Sequence, residues 1–266
     1  MVVKKVLYNI RIIFALVKYN FKNLTNYRKD FLIGLFMVII NMTISLSYIE
    51  ILYNNITNIA NWSKYEIMLI YAIASLNMSI YSILYGNYRN LKRYIFNGEL
   101  EMMLTKPLDI VLHLRMREVS IQPLVNIIVY ITLFFFCLKQ LNKSITCIIL
   151  LKIVGLSILG VLFIASIALT SLSILFYTRY TYTPYDSIMT TLELTNYPIN
   201  IFSEIVKNIV LTVFPIALIG YLPANTILLK DNVAINKIVV IIILIYYFIS
   251  KLIFKTSIKR YDGLGN

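Results

Sequence analysis

Apolar runs too long for any soluble core constrain this chain more than any other feature. A bilayer's hydrocarbon takes about 20 apolar residues per helix. Five stretches meet that need: 31–53, 66–86, 120–138, 146–177 and 235–254. The fourth, "TCIILLKIVGLSILGVLFIASIALTSLSILFY", is longer than a bilayer requires, so it either projects beyond the membrane or breaks near Lys152. A sixth, "IFSEIVKNIVLTVFPIALIGYL" (201–222), is interrupted by Glu204, Lys207, Pro215 and Gly220, and the apolar "PANTILL" after it is too short to cross. Hydrophobic residues make up 59% of the chain and charged residues only 14%, where a soluble domain carries about a quarter charged. The pattern predicts an all-α polytopic membrane protein with six spans over 31–266, preceded by a separate segment, 1–30.

Basic residues fix the orientation, because cytoplasmic flanks retain them. Segments 1–30, 87–119, 178–207 and 251–266 hold 19 of the 25 lysines and arginines, and the alternate segments hold six. Both termini are therefore expected in the cytoplasm of a cell membrane. The net charge of +13 follows from this sidedness. The basic residues flank spans and never form a dense block, which argues against a nucleic-acid partner. The first apolar stretch is studded with lysine and lacks a small-residue cleavage site, so it does not read as a secretory signal. Lys4, Arg11, Lys18 and Lys22 are spaced 7, 7 and 4 apart, which puts them within about 40° of one another on a helix. Such a helix lies in the membrane interface, against lipid headgroups or a partner's acidic surface. Cys137 and Cys147 read as small buried hydrophobes rather than a disulfide. Heavy use of Ile, Asn, Lys and Tyr points to an AT-rich, bacterial genome.

No catalytic constellation is present. His113 is the only histidine, which excludes His-rich metal sites, and no metal or cofactor is expected in this chain. Gly155 and Gly160 have the spacing of a phosphate-cradling loop, but Val161 and Leu162 follow inside a span. Energy for moving anything uphill must come from another polypeptide or an ion gradient. An ion-coupled transporter keeps ionisable groups deep in its spans. Here Glu50, Glu118 and Lys152 lie toward helix ends, and Glu204 and Lys207 form a helical pair near the start of the fifth span. What the spans do carry is neutral polarity: Asn41, Thr43, Ser45 and Ser47 in the first, and Ser75, Asn77, Ser79 and Ser82 in the second. These serve helix packing, or line a substrate path, for which Asn41, Ser45 and Asn77 are the candidates.

Between the second and third spans, "NGELEMMLTKPLD" (97–109) holds three of the twelve acidic residues of the chain. It resembles the G-E/D-L-D-x-x-L-x-x-P-L loop of ABC-2-type permeases, the membrane subunits of type-2 ATP-binding-cassette exporters, and in particular an uncharacterised six-span group of them. "YPINIFSEIVKNIVLTVFPIALIGYLPANTIL" (197–228) is similar to that group's Y-P … P-x-A … Y-x-P-A pattern. The tail "IKRYDGLGN" stands where the group ends in an aromatic-x-x-basic-x-Y-x-x-x-G motif, with Phe254 in place of the usual tryptophan.

That resemblance implies a permease subunit that exports cargo with ATP and magnesium bound by a separate cytosolic ATPase. Two ATPase copies would serve two permeases, identical or homologous. It implies that loop 87–119 carries a coupling helix docking into the ATPase. Gly98, Glu99, Leu100, Glu101, Met103, Leu104, Lys106, Pro107 and Leu108 would supply it, with Met103 and Leu104 as anchors and Pro107 ending the turn. It also implies that 197–230 holds the broken fifth span and a re-entrant hairpin on the outer side, with Pro215, Gly220, Tyr221 and Pro223 as an outer gate. Scarce charge in the spans favours an amphipathic cargo: a peptide, a lipid or a drug-like molecule. An ion-coupled transporter, and a non-transporting scaffold or sensor, stay open as alternatives.

Overall fold

A computed structural model describes residues 28–55, 61–118, 120, 122–208, 211, 214–230 and 237–263. Lys4, Arg11, Lys18 and Lys22, and with them the interfacial helix expected at 1–30, lie outside the described residues. Five helices are long and apolar enough to cross a membrane: α1 (Arg28–Asn55), α2 (Lys64–Tyr85), α6 (Gln122–Gln140), α7 (Cys147–Ser173) and α11 (Lys237–Ser257). The short helices between them are α3 (Leu91–Phe96), α4 (Glu99–Leu104), α5 (Ile110–Met116), α8 (Tyr185–Thr191), α9 (Glu204–Asn208) and α10 (Tyr221–Leu228).

α2 is the hub. Its start is fixed by Glu66, whose carboxylate accepts the Ser63 N–H at 2.7 Å, and an unbroken run from Ile67 to Ala74 is buried. Chains of small and apolar residues suit this position, because in lipid a helix is held by close packing and not by water exclusion. α7 begins where the Thr146 hydroxyl accepts from the Ile149 N–H and runs unbroken past Lys152, which is exposed. The overlong fourth span therefore projects instead of breaking. At 27 residues it is roughly 40 Å long, against about 30 Å of hydrocarbon.

The expected helix over 201–222 is not there as one rod. Among the described residues of that stretch only α9 is α-helical before Tyr221, with a 3-10 turn ending at Ile201 and another at Ile216–Leu218. The chain from Tyr185 to Lys230 instead climbs α2 in pieces. The Tyr185 hydroxyl lies 3.2 Å from that of Tyr81, near the last turn of α2. The Ile219 carbonyl accepts from Asn77 Nδ2 at 2.6 Å. The Tyr221 ring lies tilted against Trp62 at 5.7 Å, and Lys230 reaches Glu66 at 2.5 Å, in the first turn of α2.

Packing divides the interior into two clusters. One surrounds Trp62 and the first half of α2, with α6, the first half of α7 and α10. The other gathers the second half of α2, the α3–α4–α5 elbow, the end of α7 and Phe254. The elbow is thereby welded to the bundle. By contrast, α1 shows Leu32, Phe36, Met37 and Ile44 largely to the outside, and Gln122 of α6 clips it by donating to the Gly34 carbonyl at 2.9 Å.

Candidate functional site

The elbow is built by one left-handed residue. α3 ends as the Asn97 and Gly98 N–H groups fold back on the carbonyls of Arg93 and Ile95, each at 3.0 Å. Gly98 then takes φ +68° and turns the chain into α4, a conformation costing a side-chain-bearing residue about 1–2 kcal/mol. Glu99 and Glu101 occupy the first turn, where the helix dipole favours them. Glu99 pairs with Arg117, which lies 4.6 Å over the Tyr94 ring. Glu101 accepts from the Tyr261 hydroxyl at 3.3 Å.

The side chains of α4 divide sharply. Leu100 and Met103 are fully buried in the second cluster, whereas Met102 is 57% exposed and Leu104 42%. Phe96, at the end of α3, adds a third outward apolar side chain at 54%. Met103 therefore does not serve as an anchor for a partner: its three-residue spacing from Leu100 puts both on the inward face. The outward residue next to it is Met102. Lys106 and Pro107 are exposed in the turn, and Leu108 is half-buried. Asp109 closes it, capping α5 by accepting from Val111 and Leu112 and pairing with Lys255. Burial pushes the Asp109 carboxyl up, but Lys255 and the two cap amides outweigh it and hold it below its ordinary value. His113 is buried under α4. Burial first, then the Lys106 charge, hold it below its ordinary value, against a hydrogen bond with the Met103 carbonyl. Its Nδ1 has no partner among the described residues.

Two of the three resembling motifs touch here. The C-terminal tail crosses the elbow with Tyr261 on Glu101 and ring-to-ring on Tyr180 at 5.6 Å. Phe254, in the place of the family's tryptophan, is fully buried and meets Phe176 at 5.9 Å.

A second feature runs the length of α2. Three cavities sharing walls, of about 270, 630 and 840 Å³, line up between α1, α2, α6 and the 185–197 segment. Asn41 and Ser45 face the middle one with Ser75, Ser79, Ser82 and Asn126. Arg89, Asp186 and the Arg93–Glu118 pair, 2.7 Å apart, stand around the elbow end. Glu193 is the acid of the two cavities nearer Trp62. Asn77 does not line the groove. It points to the other side of α2 and holds the Ile219 carbonyl. Glu193, Gln122 and Asn126 were missed from sequence; the last two stand four apart at the start of an apolar helix, which puts them on one face.

The hairpin residues meet deep in the bundle. Pro215 is buried and opens a 3-10 turn, and Pro223 sits in the first turn of α10, where no N–H is needed, so neither kinks a long helix. Gly220 is where the chain comes closest. A Cβ there would lie 2.6 Å from the Thr195 carbonyl oxygen and 2.9 Å from the Ala74 Cβ. Gly160 of α7 faces the Leu218 carbonyl in the same way, at 3.0 Å. Irregular backbone of this kind survives at membrane depth only when protein surrounds it.

Five long apolar helices, an elbow between the second and third, and a polar groove along the second describe a multi-pass membrane protein. The family model described as ABC-2 family transporter protein matches residues 39–265. The chain belongs to that family, as a permease of the ABC-2 type. No curated protein and no solved structure matches it.

Proposed function

We propose that this chain is the membrane subunit of an ABC exporter, driven by ATP and magnesium held in a separate cytosolic ATPase that docks on the elbow. The observation that carries this is the outward triplet Phe96, Met102 and Leu104, on helices whose opposite face, Leu100 and Met103, is sealed in the core. A helix that rigid transmits force, and its spare apolar face in water needs a partner. Two ATPases and a second permease, identical or homologous, complete the assembly. The groove beside α1, with Asn41 and Ser45, is the translocation path, closed by the second permease. Its mix of hydroxyls, amides and apolar walls suits an amphipathic cargo such as a peptide, lipid or drug-like molecule. Burying a side chain of this size contributes about 1.5–3 kcal/mol. Met102→Ala with Leu104→Ala is therefore expected to weaken ATPase recovery by roughly two to four powers of ten, with the thermal stability of the permease unchanged. Undiminished recovery would sink the docking assignment.

In this reading the 185–230 segment is the fifth of six crossings and 214–230 its re-entrant outer hairpin, so both termini face the cytoplasm of a bacterial cell membrane. The native cysteines test that orientation without mutation. Cys147, exposed at the start of α7 and not buried as the sequence predicts, is expected to react with an impermeant thiol reagent added outside intact cells, whereas Cys137 is buried as predicted. Reaction of Cys147 only after the membrane is opened would reverse the topology.

A further inference from the structure

At the elbow end of the bundle, two cations from different helices share one place, and the acid nearest Lys251, Asp109, is paired with Lys255. Arg115 of α5 donates through Nε to the Leu84 carbonyl at 3.1 Å and lies 4.1 Å over the Tyr85 ring. Lys251 of α11 lies 4.3 Å over the Tyr247 ring. The two hydroxyls, of Tyr85 and Tyr247, are 3.4 Å apart, so one continuous strip runs guanidinium, phenol, phenol, ammonium. One turn further along α11, Lys255 pairs with Asp109 at the cap of α5, which fixes the two helices side by side.

Nearby carboxylates are already engaged: Glu99 by Arg117, Glu118 by Arg93, and Asp109 by Lys255. Among the described residues neither Arg115 nor Lys251 joins an ion pair, and the first 27 residues of the sequence contain no Asp or Glu to supply one. Both side chains are only half-exposed. Holding two like charges together, partly out of water, is unfavourable unless an anion sits between them. The apolar surroundings name the kind of anion. Leu84, Phe248 and Leu252 beside the strip are exposed at 41%, 62% and 63%, a surface for acyl chains directly next to the charges. Basic pockets between spanning helices, with tyrosines at headgroup level, take lipid phosphates in this way.

We propose that Arg115 and Lys251, with the Tyr85 and Tyr247 hydroxyls, seat the phosphate of an anionic phospholipid where α2, α5 and α11 meet. The guanidinium supplies planar paired donors and the ammonium a point charge, while the hydroxyls hydrogen-bond the phosphate ester oxygens. The bound lipid would neutralise the strip and strap α11 to the elbow. This does not rest on the ATPase docking described above, and the orientation of the chain decides only which leaflet supplies the lipid.

The test is lipid retention by the full chain, purified in detergent and titrated with phosphatidylglycerol or phosphatidylcholine, read by native mass spectrometry. Phosphatidylglycerol is expected to be retained and to raise the melting temperature, and phosphatidylcholine is not. Lys251→Gln and Arg115→Gln should each cut that retention about fivefold, and the pair about 25-fold. Lys259→Gln, which removes an exposed cation from the same end, should leave it unchanged. Lys251→Gln touches no elbow contact, so its loss of lipid is readable even if Arg115→Gln disturbs the fold. Retention by the double variant equal to that of the unmodified chain overturns the proposal. Displacement of the lipid by inorganic phosphate at millimolar concentration also overturns it, because it would assign the seat to the free anion.

Discussion

Two of the short helices between the long ones, α10 and α4, are buried differently. In α10, seven of eight residues are buried. In α4 only Leu100 and Met103 are, and their neighbours Met102 and Leu104 are not. α10 packs beside α2 and α4 against its elbow neighbours α3 and α5, and both follow a glycine, so local chemistry alone does not separate them. What separates them is the number of faces the chain itself covers. A helix covered all round, such as α10, can only hold the bundle or move with it. A helix covered on one face, such as α4, has a surface left for another protein.

The sharpest way to break that comparison is at the glycines. Gly220→Val forces a branched side chain against the Thr195 carbonyl and Ala74, neither of which is a flexible side-chain end that can swing aside. A loss of about 3 kcal/mol or more is expected, seen as a collapse of folded yield. Gly98→Ala meets nothing within 4 Å and is expected to cost only about 1–2 kcal/mol of left-handed strain. Thermal melts in detergent compare the two directly. Equal losses would mean that α10 is not wedged against its neighbours. Gly220→Val also tests packing before it tests any gate, so a gating assay needs a milder change, such as Tyr221→Phe.

Next in size is the contrast within α4 itself. Met103→Ala is expected to destabilise the permease by about 2–5 kcal/mol, as for a buried methionine in a packed core. Met102→Ala, one residue away, is expected to leave the melt within about 0.5 kcal/mol while lowering ATPase recovery. If both behave alike, α4 has no separate inner and outer face.

Much of this was legible in the sequence, and the misses have physical causes. Long apolar runs located the five rods, and the charged, methionine-bearing 97–109 stretch located the elbow. Which methionine faces in was not legible, because a six-residue helix is too short for periodicity to pick between neighbours. The broken fifth segment announced itself through Pro215 and Gly220. Its extent did not, because the deep carbonyl of Ile219 is served by Asn77, 142 residues away in sequence. By its company Asn77 reads as groove lining. Yet Ser75, Ser79 and Ser82 stand four and three apart on one face, and Asn77, two residues from Ser75 and from Ser79, falls opposite them.

Asn77→Leu sharpens the same lesson at smaller cost. It leaves the buried Ile219 carbonyl without its donor and is expected to lose about 1–2 kcal/mol, the upper range for such bonds between helices in lipid. Ser79→Ala, on the groove face, bonds only its own helix at Ser75 and is expected to change the melt little. A stable Asn77→Leu protein would show that the hairpin does not depend on α2 for its seat.

The smallest effect expected is a pH dependence confined to the elbow. His113 is buried under α4 with Nδ1 unpartnered among the described residues and Lys106 close by, so the folded chain resists its protonation and holds it below the ordinary 6.5. The unfolded chain has no such resistance and takes up a proton near pH 6.5. Below that value the unfolded state therefore binds more protons than the folded one, and stability falls as pH falls. The contribution is fully present above 6.5 and is lost on the way down toward the lowered value in the fold. Asp109 is lowered too, but from 3.8, so it acts only in much stronger acid and does not overlap. The expected result is faster proteolysis within 97–117 at about pH 5.5 than at about pH 7.5. His113→Gln, which keeps a polar side chain of similar reach without a proton to gain, should flatten that difference. A pH response equally steep in His113→Gln would move its origin away from the elbow, to a group the two states titrate elsewhere.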